Sequence, residues 1–317
     1  MFFHDLAEPG EAWTEYEKLL SELSKFVGDC VRYLVDAFNV AHAKAAQEKC
    51  SSHTTVLMLV RHVIESIDGV SVLVQKGCPE NCGPLLRSAF EGELAVLYIL
   101  QTDSKRRALA YQVAHAHRRI KLYRKCDPND ALGEELRNEL KDDPMSTLLG
   151  SLPLDWKAMV ANLENMLELP EFEPIEEEWQ RIRTTTRKDP EWFALFGGPR
   201  DVRSLAKSLR LGAAYEGLYR SWSDIIHAGS GLKHVGPSDR PGAIAIRPIR
   251  HPDGLENACV FAATFCLTTA RILVQTYSPG EWERFGIKYV EQIRNRYQQL
   301  QQGNLINAPW RSDRLQP

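Results

Sequence analysis

The chain has 317 residues, 44% of them hydrophobic and 26% charged, with 20 glycines and 17 prolines. That composition excludes collagen-like, mucin-like and wholly disordered chains, and the length suffices to bury a large core. A net charge of −3, from 39 basic and 42 acidic side chains, excludes a uniformly basic nucleic-acid coat but leaves room for local patches.

Helical periodicity dominates. From Glu11 to about Gln47 apolar residues recur three and four apart (Trp13, Tyr16, Leu19, Leu23, Phe26, Val31, Leu34, Phe38), which predicts a long amphipathic helix with a break near Gly28. A second helix is expected from about Ser52 to Gln75, stopped by Gly77, and a third from Pro84 to Gln101. A fourth follows Asp103 as N-cap and runs to Lys125. Residues 127–153 read as irregular, Trp156 to Leu167 as a short helix, and Glu171 to Glu178 as an acidic, proline-containing connection. Further helices are expected over Val202–Leu209, capped by Asp201, and over Ala213–Ala228, closed by Gly229. The last two are Leu255–Tyr277 and Glu281–Gln302.

Between Gly229 and Gly254 lies a long loop rich in glycine and proline, in which Ala243-Ile244-Ala245-Ile246-Arg247 reads as one short strand. Long ordered loops in compact helical proteins tend to cover or build sites. The fold class is therefore all-α, a multi-helix bundle with one long Gly/Pro-rich loop. It reads as a single helical domain over 1–302, with 127–200 as an insertion or lid-like subregion and 303–317 as a flexible tail. The seven scattered cysteines do not form a secreted disulfide framework. The start turns acidic at once, so no signal peptide is expected. The apolar stretch Val260–Val274 contains Arg271 and falls short of the ~20 residues that a bilayer span needs. The expectation is a cytoplasmic protein with no membrane partner.

Two helical constellations carry candidate chemistry. In the first, Glu216, Arg220, Ser223, Asp224 and His227 recur three or four apart and share a face, next to the glycine-rich loop. An arginine there can hold a phosphate bidentately while a histidine works as acid or base near neutral pH. In the second, Arg87 and Glu91 stand one turn apart on a helix apolar nearly all round, so they are expected to be buried and paired with each other or with the 216–227 helix. Basic runs at Ser104–Cys126, including Arg118 and Arg119, and from Arg181 to Arg210 are candidate phosphate contacts. No zinc-type ligand spacing, Walker motif or nucleophile elbow is present, so neither a metal nor a cofactor is expected.

Arg220, six residues, then His227 resembles the motif of HEPN-superfamily proteins. That resemblance implies an all-helical, homodimeric, metal-independent endoribonuclease of the toxin or phage-defence kind, with RNA as substrate and an antitoxin or defence protein as partner. It implies that Arg220 and His227 are catalytic, with Asp224 as third member; Arg118, Arg119 and Ser223 are read as substrate contacts, and Arg87 and Glu91 as supports. Arg87-Ser88-x-x-Glu91 early, with Tyr219-x3-Ser223-x3-His227 before Gly229-Ser230, also resembles a bacterial all-helical family of unknown function. The alternatives are a non-catalytic helical scaffold or sensor, and a metal-dependent bundle enzyme using Glu65, Glu91 and His227.

Overall fold

The structure, a computed structural model, describes residues 13–48, 51–144, 154–219, 222, 235–237, 244–246 and 249–306. It is all-α, as the periodicity predicts. Its described residues fall into two compact units, one formed by 1–102 with 206–317 and the other by 103–205. An insertion over 127–200 is expected from sequence; the inserted unit instead begins at Asp103 and takes the basic helix with it.

The first unit is built on α1 (Trp13–Glu48), α2 (Ser51–Gln75), α3 (Pro79–Gln101) and α10 (Leu255–Tyr277). α1 packs on α2 and α10, and α3 packs on both α2 and α10. α1 passes through Gly28 without the expected break, and α3 starts earlier than expected, with Pro84 inside its opening turns. As its sixth residue, Pro84 has no N–H to offer the Glu80 carbonyl, so one bond of the helical ladder is missing there; Pro79, at the first position, loses none. Two glycines set the spacing of α2 and α3. A Cβ on Gly69 would stand 2.8 Å from Leu85 Cδ1, and one on Gly92 would stand 2.8 Å from Val63 Cγ2. By length and apolar composition α10 alone qualifies as a membrane span among the described helices; its small and apolar residues are instead packed among α1, α2 and α3.

The rest of this unit includes α9 (Gly212–Ala214), which runs into a π-helical turn, Tyr215–Tyr219. A two-stranded antiparallel ribbon pairs β1 (Val235–Pro237) with β2 (Ile244–Ile246) in register Gly236 to Ala245. The single expected strand thus has a partner across the Gly/Pro-rich loop. The C-terminal helix expected over Glu281–Gln302 is α11 (Trp282–Lys288), a π-turn (Tyr289–Arg294) and α12 (Asn295–Gln302). Beyond it Ile306 is buried, so the expected tail is seated at least that far; residues 307–317 lie outside the described residues.

The second unit is organised around α4 (Ser104–Cys126), against which α5 (Ala131–Glu139), α6 (Trp156–Leu167), α7 (Glu173–Thr186) and a 3₁₀ turn (Trp192–Gly197) pack. α5 occupies part of the stretch expected to be irregular, capped by Asp130, whose carboxylate accepts from Leu132 N–H at 2.9 Å. α7 replaces the expected acidic connection. Its proline stands in the first turn, where it favours a helix, and Glu173 and Glu176 suit the positive end of the dipole. α8 (Val202–Ser208) follows, with Asp201 accepting from Ser204 N–H at 2.7 Å.

Candidate functional site

The described polar constellation of the first unit joins α3 to the π-turn. Arg87 Nε donates to Glu91 Oε1 at 3.1 Å, as one-turn spacing allows. Arg87 Nη2 donates to the Tyr219 hydroxyl at 2.8 Å, and that hydroxyl donates to Glu91 Oε1, also at 2.8 Å. The three side chains close a ring of hydrogen bonds. The guanidinium carbon lies 4.5 Å from the Tyr219 ring centroid, and Tyr215 stacks on the same ring at 4.8 Å with 19° between planes. The two tyrosines are four apart, a spacing that puts both rings on one face of the helical turn Tyr215–Tyr219. Behind the ring an aromatic floor runs from Phe90 to Phe265 to Trp222 and Phe261.

Electrostatics fix the protons of this ring. Burial first, then the carboxylate of Glu91, pushes the Tyr219 hydroxyl up to about 12, so it stays protonated and donates. Burial would lower Arg87, but the hydrogen bonds to Glu91 and Tyr219 more than offset it and hold its affinity for the proton above the ordinary value. The expectation that both charged residues are buried is corrected. The Glu91 side chain is 45% exposed and Arg87 21% exposed, so the pair lies at the rim of the core. On its flank, Ser88 Oγ lies 2.8 Å from His62 Nε2. Gly92, one turn on from Ser88, leaves the room that brings His62 close to α3.

Of the residues singled out from sequence, Arg87 and Glu91 are thus brought together, with Tyr219 as the partner that spacing alone could not supply. Arg220, Ser223, Asp224 and His227 lie outside the described residues. Arg118 and Arg119 are exposed on α4, with Arg119 5.9 Å above the Tyr123 ring. Much of the remaining basic run is neutralised within its own unit: Lys121 pairs with Asp189 and Arg124 with Glu164, while His117 Nε2 lies 2.8 Å from Glu176. Glu65, a candidate metal ligand, is held by both guanidinium nitrogens of Arg61 at 3.0 and 3.1 Å. Among the described residues no group of three His, Cys, Asp or Glu side chains is placed to hold a metal ion.

The carboxylate that sequence reasoning missed is Glu93. It is buried, on the face of α3 that carries Leu86, Ala89, Phe90 and Val96, and its pKa is raised to about 8 by burial, with the Thr268 hydroxyl partly offsetting this. Its place in that three-and-four spacing is the signal that could have found it.

Residues 53–242, more than half of the chain, match a family of unknown function (DUF5677). No curated protein and no solved structure matches. The matched span contains His62, Arg87, Ser88, Glu91 and Tyr219.

Proposed function

The chain belongs to the DUF5677 family, and on that premise we propose that it is a metal-independent endoribonuclease, or an RNase-derived toxin or phage-defence protein. The observation that carries this reading is the seating of Tyr219. Its side chain is bound by Arg87 and Glu91 and stacked by Tyr215, and the next residue in the chain is Arg220. The candidate phosphate-binding arginine is thus next in sequence to a tyrosine whose side chain is held by Arg87, Glu91 and Tyr215.

Arg220 binds the scissile phosphate in this proposal, and Asp224 orients His227. His227 takes the proton of the ribose 2′-hydroxyl, that oxygen bonds to phosphorus, and the bond to the 5′-oxygen breaks as the leaving oxygen takes a proton from water. The internal nucleophile makes the step effectively unimolecular. The same reading makes the protein a cytoplasmic homodimer with RNA as substrate, restrained by an antitoxin or other defence partner.

The test is cleavage of a labelled single-stranded RNA in the presence of a chelator. Wild type is expected to leave 2′,3′-cyclic phosphate ends, and His227→Ala to cut on the order of 10²–10⁴-fold more slowly with an unchanged melting temperature. Absence of cleavage by wild type, or equal cleavage by the variant, overturns the reading. The second reading, a non-catalytic scaffold, is favoured by one observation: Arg87, Glu91 and Tyr219 are bonded to one another, as side chains that fasten α3 to the π-turn would be.

A further inference from the structure

In the second unit, the 3₁₀ turn Trp192–Gly197 sends its aromatic side chains two ways. Trp192, Phe193 and Leu195 are buried, and Trp192 meets Tyr111 of α4 edge-on at 5.4 Å. Phe196 turns outward. Its backbone sits at φ 57°, ψ 37°, in the left-handed region that glycine adopts freely and a bulky side chain does not. The strain is locked in from below, where Phe196 N–H donates to Glu178 Oε1 at 3.0 Å. The outcome is a large aromatic ring left 41% exposed, and core packing is no reason for it.

Above that ring lies a cation. The Arg106 guanidinium carbon is 4.7 Å from the Phe196 centroid, and Arg106 is tethered by Asp103 Oδ2 at 2.8 Å. Asp103 is itself left-handed, at φ 48°. Two strained residues other than glycine thus frame one arginine–phenylalanine stack. Lys105 and Arg107 share the first turn of α4 with Arg106, and Arg181 is paired with the same Glu178 that holds the Phe196 amide. The two arginines placed here, Arg106 and Arg181, are each paired with a carboxylate, Asp103 and Glu178.

An exposed flat ring with a planar guanidinium stacked on it provides the components of a stacking platform for unpaired bases. We propose that Phe196 and Arg106 form a binding site for a nucleobase of single-stranded RNA, with Arg106 also meeting the adjoining phosphate. The choice of RNA rests on the endoribonuclease reading, but the site itself contains none of the residues assigned to cleavage. Backbone strain at an exposed position is retained because it aims the ring outward, where the strand can reach it.

The test uses the full chain and an oligomer of 2′-O-methyl uridine, about 12 nucleotides long, which lacks the hydroxyl that cleavage needs. An abasic oligomer of the same length and charge separates stacking from phosphate contacts. At low salt, Phe196→Ala is expected to weaken the uridine oligomer about five- to a hundredfold, the equivalent of ~1–3 kcal/mol, and to leave abasic binding unchanged. Phe196→Trp should retain affinity. Phe196→Gly, which adopts the positive φ without strain, should melt above Phe196→Ala yet bind as poorly. Arg106→Ala should weaken both oligomers. The proposal is overturned if neither oligomer binds wild type, if uridine and abasic oligomers bind alike, or if Phe196→Ala binds within twofold of wild type. Base-dependent binding by a wild type that cuts no RNA would leave the platform standing and remove only the cleavage reading.

Discussion

Glu93 gives the first unit a pH dependence that one substitution should erase. The carboxyl is 3% exposed, on the face of α3 that meets α10, with the Thr268 hydroxyl as hydrogen-bond partner and the Cys266 thiol nearby. Its pKa is raised from 4.5 to about 8, so the folded chain keeps a proton that the unfolded chain releases. Stability from this group is fully present below pH 4.5 and is lost as pH rises through 8, at a slope of ~1.4 kcal/mol per unit. The useful window opens at 6.5. Below it His115, held down first by burial and then by Arg119 and Arg118, pulls the slope the other way. Above 8 the buried thiols begin to count, because burial raises Cys30, Cys259 and Cys266 in the folded state. Between pH 6.5 and 8 the loss is therefore ~2 kcal/mol. Glu93→Gln keeps the shape and a hydrogen-bonding group for Thr268 but cannot ionise. Urea midpoints taken every half unit should fall for wild type and stay level for Glu93→Gln, and the two should converge or cross toward pH 8. Parallel midpoints across the window would show that Glu93 is hydrated when folded, and the reasoning from burial would fail.

Three further outcomes follow from the packing. Because Glu91 and Arg87 are part exposed and can be rehydrated, Glu91→Ala should cost only ~1 kcal/mol, not the ~3–5 kcal/mol of a broken interior pair, as read by denaturant titration. Tyr219→Phe should cost about the same, and the double variant should lose less than the sum, since all three side chains share one ring of bonds. In the second unit, a Cβ on Gly133 would stand 1.9 Å from the Asp127 carbonyl oxygen, which is backbone. Gly133→Ala must therefore move α5 away from the end of α4 and should cost more than ~2 kcal/mol; a melting temperature equal to wild type would contradict that contact.

What the sequence could and could not announce follows from the range of each interaction. α6 and α10 are legible to the residue because their apolar spacing is regular and, for α6, because Asp155 caps Ala158 N–H at 2.9 Å. α7 was legible in principle, through a proline in its first turn beside acidic residues, and a proline read only as a breaker hides it. The second strand was not legible, since Val235–Pro237 has no apolar alternation and becomes a strand only by pairing with Ile244–Ile246. The site divides the same way. Arg87 and Glu91 are four apart, so their bond is written in the sequence; whether they are buried depends on the helices beside α3, and periodicity alone placed them too deep while passing over Glu93.

Tyr219 is the clearest case of a contact that only the fold supplies. It lies far along the chain from both partners, and its hydroxyl fits between them because the π-turn adds one residue to the turn that carries it. A regular α-turn through Tyr215 would rotate Tyr219 by about a residue's azimuth, roughly 100°, and break both hydrogen bonds at once. Tyr215, four residues before Tyr219 on the same face, stacks on its ring and backs the hydroxyl's position. π-Turns cost stability and persist where a position is needed. Here the position is that of the Tyr219 hydroxyl, held between the Arg87 guanidinium and the Glu91 carboxylate.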